Sequence, residues 1–199
     1  MDVQASSTKT SAALLVEVRD SGNVEAWMAF EGRYREMLLR FCRSLGVQHA
    51  DSEDIIQSVF SKLLSGLKNF EYDPARGRFR DYLFRCVRSG LSDRAARPNV
   101  AGLSVVSQDG LVSAGTEAAV FDREWMNHHY RMALAAVRER VDESSVAVLE
   151  ATLAGASVSE IAAAVGLSEQ AVYKVQQRMR SYLKDQIARQ VQEEDSTHG

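Results

Sequence analysis

Gln170, Tyr173, Lys174, Gln177 and Arg178 recur at spacings of three and four, and Ser181 follows, so on a helix they share one outward face. Lys and Arg on such a face can meet phosphates or guanine edges, and Gln can pair with adenine. Between Ala171 and Lys184 no acid appears, while Lys174, Arg178, Arg180 and Lys184 are basic. A helix that merely faces solvent interleaves acids for i,i+4 pairs. A second cationic set runs from Arg76 to Arg97, with arginines at 76, 78, 80, 85, 88, 94 and 97 against Asp81 and Asp93, a local balance of +5. Just upstream lie Phe70 and Tyr72. Rings beside arginines suit a single nucleic-acid strand, whose bases stack while the cations hold its backbone.

The third set is acidic. His49 to Asp54 carries Asp51, Glu53 and Asp54 without a base, and Asp54, Gln57 and Ser61 follow one another at three and four. Taken alone, this is the solvated first turn of a helix. Metal or catalytic chemistry is poorly supplied. His128 and His129 are adjacent and therefore point to different faces of a helix, His49 stands alone, and no acid or cysteine completes a ligand set at known spacing. Cys42 and Cys86 form no CxxC and read as unpaired thiols. The expectation is a protein that is not an enzyme and needs no metal or cofactor.

The elements that must position these residues are helices. Only Pro74 and Pro98 interrupt the chain, and alternating strand patterns are not sustained. VEAWMAFEGRYREMLLRFCRSLG puts Trp27, Phe30, Tyr34, Leu38 and Phe41 on one face, with Gly46 suited to the helix end. DSEDIIQSVFSKLLSGLKNF puts Ile55, Ile56, Val59, Phe60, Leu63, Leu64 and Leu67 on its apolar side, and Asp51 or Ser52 is placed to cap it. EYDPARGR is a loop, and FRDYLFRCVRSGLSDRAAR a helix with Phe79, Tyr82, Leu83, Cys86 and Val87 inward and arginines outward.

SVSEIAAAVGLSEQAVYKVQQRMR has the layout of a helix-turn-helix. Ala162 allows close approach, Gly166 tolerates the turn, and Ile161, Val165, Leu167, Val172 and Val175 are apolar anchors. Ser168 is placed to cap the second helix, with Glu169 near its positive end. VAVLEATLAG just upstream supplies a third helix for the pair to pack on. A plain packing hairpin would share this periodicity, but not the acid-free outward face.

The composition, 45% hydrophobic and 26% charged with a net charge of −3, is that of a soluble globular protein and argues against one that coats DNA without specificity. No signal peptide or membrane-length apolar run is visible, so the expected location is the cytosol, with no membrane partner. The fold class expected is all-α, two small helical domains joined by a flexible linker. The organisation reads as an N-terminal extension over 1–19, a first domain over 20–97, a Gly- and Ser-rich linker over 98–121, a helix-turn-helix domain over 122–191 and a tail over 192–199.

DSEDIIQSVFSKLLSGLKNFEYDPARGRFRDYLFRCVRSGLSDR, followed by a linker and VSEIAAAVGLSEQAVYKVQQRMR, resembles the extracytoplasmic-function group (group IV) of the sigma-70 superfamily of bacterial sigma factors. The resemblance covers about 24–97 and 122–190. It implies promoter-directed initiation and melting with core RNA polymerase as partner, engaged at the β′ clamp helices and the β flap. Asp51, Asp54, Gln57 and Phe60 would meet the clamp. Asn69, Phe70, Tyr72, Arg76 and Arg78 belong to the loop that would capture a flipped base of the minus-ten element. Arg80, Arg85 and Arg88 would track the adjacent strand. Ser168, Gln170, Tyr173, Lys174, Gln177 and Arg178 would engage the minus-thirty-five element. An anti-sigma factor or other regulator is a possible further partner. Two departures stand out: Ser58 replaces the acid common after the glutamine, and Tyr173 stands where small or basic residues are usual. The rival reading is a helix-turn-helix regulator that binds duplex DNA without polymerase; it leaves the acidic helix and the arginine-aromatic loop unexplained.

Overall fold

The computed structural model describes residues 11–20, 22–67, 78–96 and 114–195. Among these the secondary structure is entirely helical: α1 (Ser11–Glu17), α2 (Val24–Ser44), α3 (His49–Leu67), α4 (Phe79–Ala95), α5 (Ala114–Arg138), α6 (Glu143–Leu153), α7 (Val158–Val165) and α8 (Glu169–Asp195). The all-α expectation is met. The chain divides into two compact units, 1–127 with 192–199, and 128–191.

The first unit is built around the apolar stripe of α2. Asn23 starts that helix, its side-chain oxygen accepting from the Ala26 N–H at 3.1 Å. Phe30, Tyr34, Met37, Leu38 and Phe41 then recur every three or four residues and are fully buried. Gly46, at φ +80°, reverses the chain, and the Val47 N–H donates back to the Cys42 carbonyl. The core is rich in rings: Phe30 lies 5.0 Å from Tyr34 of the same helix and 6.0 Å from Phe79 of α4, while Trp27 stacks on Phe30 at 5.4 Å. Burial pushes the Cys42 thiol up to about 12. Tyr82, also chiefly through burial and then through its contact with Cys86, is pushed up to about 12.

Three features of this unit differ from the sequence reading. α3 begins at His49, ahead of Asp51 and Ser52, and the buried Ser52 hydroxyl donates to the Gln48 carbonyl at 2.9 Å from inside the helix rather than capping it. Leu14 and Leu15 of α1 and Val18 just past its end, read as part of an extension, are buried in the core. α5 starts at Ala114, inside the stretch read as linker, and Phe121 and Trp125 of that helix join the same core. Their i,i+4 spacing gives α5 an apolar stripe that makes helix here more favourable than coil.

The second unit has two small cores. Ala133, Val137, Leu149, Met179 and Leu183 form one; Val148, Ile161, Ala162 and Val172 form the other. The latter joins α6, α7 and the start of α8. Ser157 begins α7 in a capping box: Ser157 Oγ accepts from the Glu160 N–H, and the Glu160 carboxylate accepts from the Ser157 N–H at 2.8 Å. The Ser157 hydroxyl also donates to the Glu160 carboxylate at 2.7 Å, and this bond first and the one from the Ser157 N–H second hold that carboxyl below its ordinary range.

Candidate functional site

The acidic surface lies on α3, and the structure divides its members. Asp54 and Gln57 are exposed, with Ser61 one turn further on. Asp54 enters no ion pair among the described residues. Asp51 does not share that freedom: its carboxylate pairs with Arg94 at the far end of α4, and its side chain is only 14% exposed. Glu53 pairs with Arg35 of α2. Phe60 is buried, edge-on to Trp27 at 6.3 Å and Phe30 at 6.2 Å, so it is a core residue rather than a contact surface. Asp54 and Gln57 are therefore the part of the expected clamp-binding set presented to solvent. Asp51 and Phe60 fix the helix that carries them.

The arginine surface belongs to α4. Arg78 at its N-cap, Arg85 and Arg88 are exposed. Arg80 is only 19% exposed, held by Asp81 at 2.6 Å and by Asp122 of α5, with its guanidinium 5.6 Å above the Phe121 ring. Arg88 reaches the Glu117 carboxylate of α5 at 3.2 Å. Of the loop residues, Asn69, Phe70, Tyr72 and Arg76 lie outside the described residues. α4 can sit close to α3 because Gly90 is at the crossing. A Cβ there would lie 3.1 Å from Val59 Cγ2 and 3.2 Å from Ile55 Cγ2. This close approach brings Lys62 of α3 to Asp93 of α4, while Asp54 and the arginines stay on one rigid pair.

The third surface is the start of α8. Gly166 ends α7 at φ +69°, its N–H donating to the Ala162 carbonyl, and Ala162 is buried where the two helices approach. Ser168 Oγ accepts from the Ala171 N–H at 3.2 Å, so its hydroxyl starts α8. Val172 is fully buried, leaving Gln170, Tyr173, Lys174 and Gln177 exposed on the opposite face. Tyr173 is 59% exposed, unusual for so large a ring. Arg178 is exposed but tied to the second unit itself, donating to Ser145 Oγ at 2.7 Å and lying 3.8 Å from Asp142. Asp142 caps α6, accepting from the Ser144 hydroxyl and from the Ser145 N–H and hydroxyl; in that order these hold its carboxyl well below the ordinary range. Arg178 therefore braces α8 against α6, and Gln170, Tyr173, Lys174 and Gln177 remain exposed.

Sequence reasoning missed the face of α5 that meets α4. Glu117, Phe121, Asp122, Glu124 and Trp125 all make contacts within the first unit, Glu124 accepting from the Ser44 hydroxyl at 3.2 Å. The signal was present as Phe121 and Trp125 four apart, flanked by acids complementary to an arginine helix.

Residues 32–99, from the third turn of α2 past the end of α4, match the family model of sigma-70 region 2. The acidic surface and the arginine surface both fall inside that match. One solved structure, described as the structure of CnrH in complex with the cytosolic domain of CnrY, is similar to the chain at 25% identity and a TM-score of 0.37, over 89% of this chain and 96% of that one. No curated protein matches the sequence. Among the described residues no helix is long and apolar enough to cross a membrane.

Proposed function

We propose that the protein is a sigma factor of the extracytoplasmic-function kind: it binds core RNA polymerase, directs it to particular promoters and drives opening of the minus-ten element. The observation that carries this reading is the region 2 match across 32–99, which contains the exposed acid on α3 and the arginine helix α4 in one segment. In this reading Asp54 and Gln57 dock on the β′ clamp helices. Arg78, Arg80, Arg85 and Arg88 line the path of the unpaired strand, with Phe70 and Tyr72 just upstream in sequence as stacking platforms. Gln170, Tyr173, Lys174 and Gln177 enter the major groove at the minus-thirty-five element, and the β flap holds the second unit there.

The energetics favour a polymerase subunit over a lone DNA binder. Flipping a base costs a few kcal/mol, on the order of what one stacking contact returns, about 1–3 kcal/mol. A chain with net charge −3 gains little from general attraction to DNA. A scaffold that holds both units on one promoter supplies the missing term as effective concentration. The chain needs no catalytic residue or cofactor, because polymerase performs the chemistry. A regulator of the anti-sigma type would act by covering the α3 or α4 surface.

The test is to add the purified chain to bacterial core polymerase on fragmented genomic DNA and sequence the 5′ ends of the transcripts. The reading predicts start sites sharing two upstream motifs at fixed spacing. Transcripts no different from those of core alone would overturn it.

A further inference from the structure

Proposing the arginine helix as the path of the melted strand raises a conflict that the packing of α5 makes concrete. We propose that the first part of α5, residues 114–127, is an autoinhibitory latch: Glu117 and Asp122 hold the guanidinium groups of Arg88 and Arg80 that DNA phosphates would otherwise take. This inference rests on the proposed role of those arginines.

Two independent sets of contacts seat the latch. The first is ionic and runs antiparallel: Asp122 pairs with Arg80 at the start of α4, and Glu117 lies 3.2 Å from Arg88 two turns further on. Glu117 is only 8% exposed, an uncommon depth for a carboxylate, and a cation at its side is what makes that burial tolerable. The second is aromatic. Phe121 is fully buried, edge-on to Phe41 at 5.2 Å and 5.0 Å from Phe84, while Trp125 stacks on Tyr34 at 6.0 Å. Arg80 belongs to both sets, since its guanidinium also lies over the Phe121 ring.

Carboxylate and phosphate oxygens compete for the donors of a guanidinium, so the latch weakens the hold that a strand can take on Arg80 and Arg88. The aromatic seat sets where the helix docks. The ion pairs make the docking sensitive to a competing anion. By reciprocity, whatever factor the latch takes from DNA affinity, bound DNA takes from the latch. Free chain is thereby kept off single strands, and opening is coupled to the arrival of a melted promoter.

The experiment uses the full chain and a fluorescein-labelled single-stranded DNA pool of random sequence, with hydrogen exchange over 114–127 as second readout. Three proteins are compared: wild type, Glu117→Gln with Asp122→Asn, and Arg80→Ala with Arg88→Ala. The neutralised latch should bind the pool about fivefold more tightly, as expected if the open fraction rises from roughly one tenth to one half. Bound DNA should also lift protection of 114–127 in the wild type. If the neutralised variant fails to fold, Asp122→Asn alone replaces it, since Asp122 is exposed. Equal affinity of neutralised and wild-type chains, with loss in the arginine variant, overturns the latch and leaves the DNA path standing. Equal affinity of the arginine variant and wild type overturns the DNA path, and the latch with it.

Discussion

Gly90 and Gly32 sit inside helices of the same unit, yet the same substitution should change stability in opposite directions. At Gly32, on the exposed side of α2, an added Cβ meets nothing within 4 Å. Gly32→Ala should therefore gain the helix-propensity difference, about 0.5–1 kcal/mol. At Gly90 the Cβ would lie 3.1 Å from Val59 Cγ2 and 3.2 Å from Ile55 Cγ2, and 3.7 Å from the Ile55 carbonyl oxygen. Val59 and Ile55 are β-branched residues of a helix and hold one strongly preferred χ1 rotamer, so neither methyl can swing aside cheaply. Overpacking a tight core costs about 1–3 kcal/mol. Set against the propensity gain, Gly90→Ala should destabilise by roughly 1 kcal/mol. Trp27 and Trp125, the chain's two tryptophans, both lie in the first unit, so denaturation followed by tryptophan fluorescence reports that unit alone. A stabilised Gly90→Ala, comparable to Gly32→Ala, would refute the claim that a bare Cα is needed where α3 and α4 cross.

Two further outcomes follow from the same reasoning. Gly166→Ala places a Cβ at φ +69° with nothing within 4 Å, so only backbone strain acts; the loss should be about 1 kcal/mol, seen as roughly fivefold faster hydrogen exchange of the α7 amides. The units should fail at opposite ends of the pH scale. Cys42 and Tyr82 are pushed up to about 12, against roughly 8.5 and 10 in an unfolded chain, so the first unit has its full stability below those unfolded values and loses it as pH climbs toward 12. Asp142 and Glu160 are held below their ordinary ranges, so their contribution to the second unit is present above the unfolded carboxylate pKa values and drains as pH falls through the lowered ones. Fluorescence for the first unit and exchange of the α6 and α7 amides for the second separate the two. A first unit unchanged between pH 8 and 11 (an alkaline range of about three units) would contradict this assignment.

Much of the fold was legible because it rests on local rules. The stripe from Phe30 to Phe41, the glycine that ends α2, and the turn built on Ala162, Gly166 and Ser168 each depend on residues within one or two turns. What was not legible depends on partners far away in sequence. A period of 3.6 places Asp51, Arg80 and Arg178 on outward faces. It cannot say that Asp51 meets Arg94 across 43 positions, that Arg80 meets Asp122, or that Arg178 meets Asp142 and Ser145. Phe60 is the reverse case: the period put it on the apolar side, where Trp27 and Phe30 cover it, and only the resemblance offered it as a clamp contact. The stretch read as linker hid a helix for a similar reason. Its last residue, Phe121, and Trp125 just past it gain only when Phe41, Phe84 and Tyr34 are already assembled.

The central claim is that the chain is a polymerase subunit docked through α3, and co-elution with bacterial core RNA polymerase tests it most directly. Wild type should elute with core. Asp54→Arg, a change at an exposed position that no described ion pair depends on, should elute alone while melting within about 0.5 kcal/mol of wild type. Retention of Asp54→Arg on core would contradict the docking surface. A wild type that ignores core but binds a palindromic duplex as a dimer would contradict the whole account.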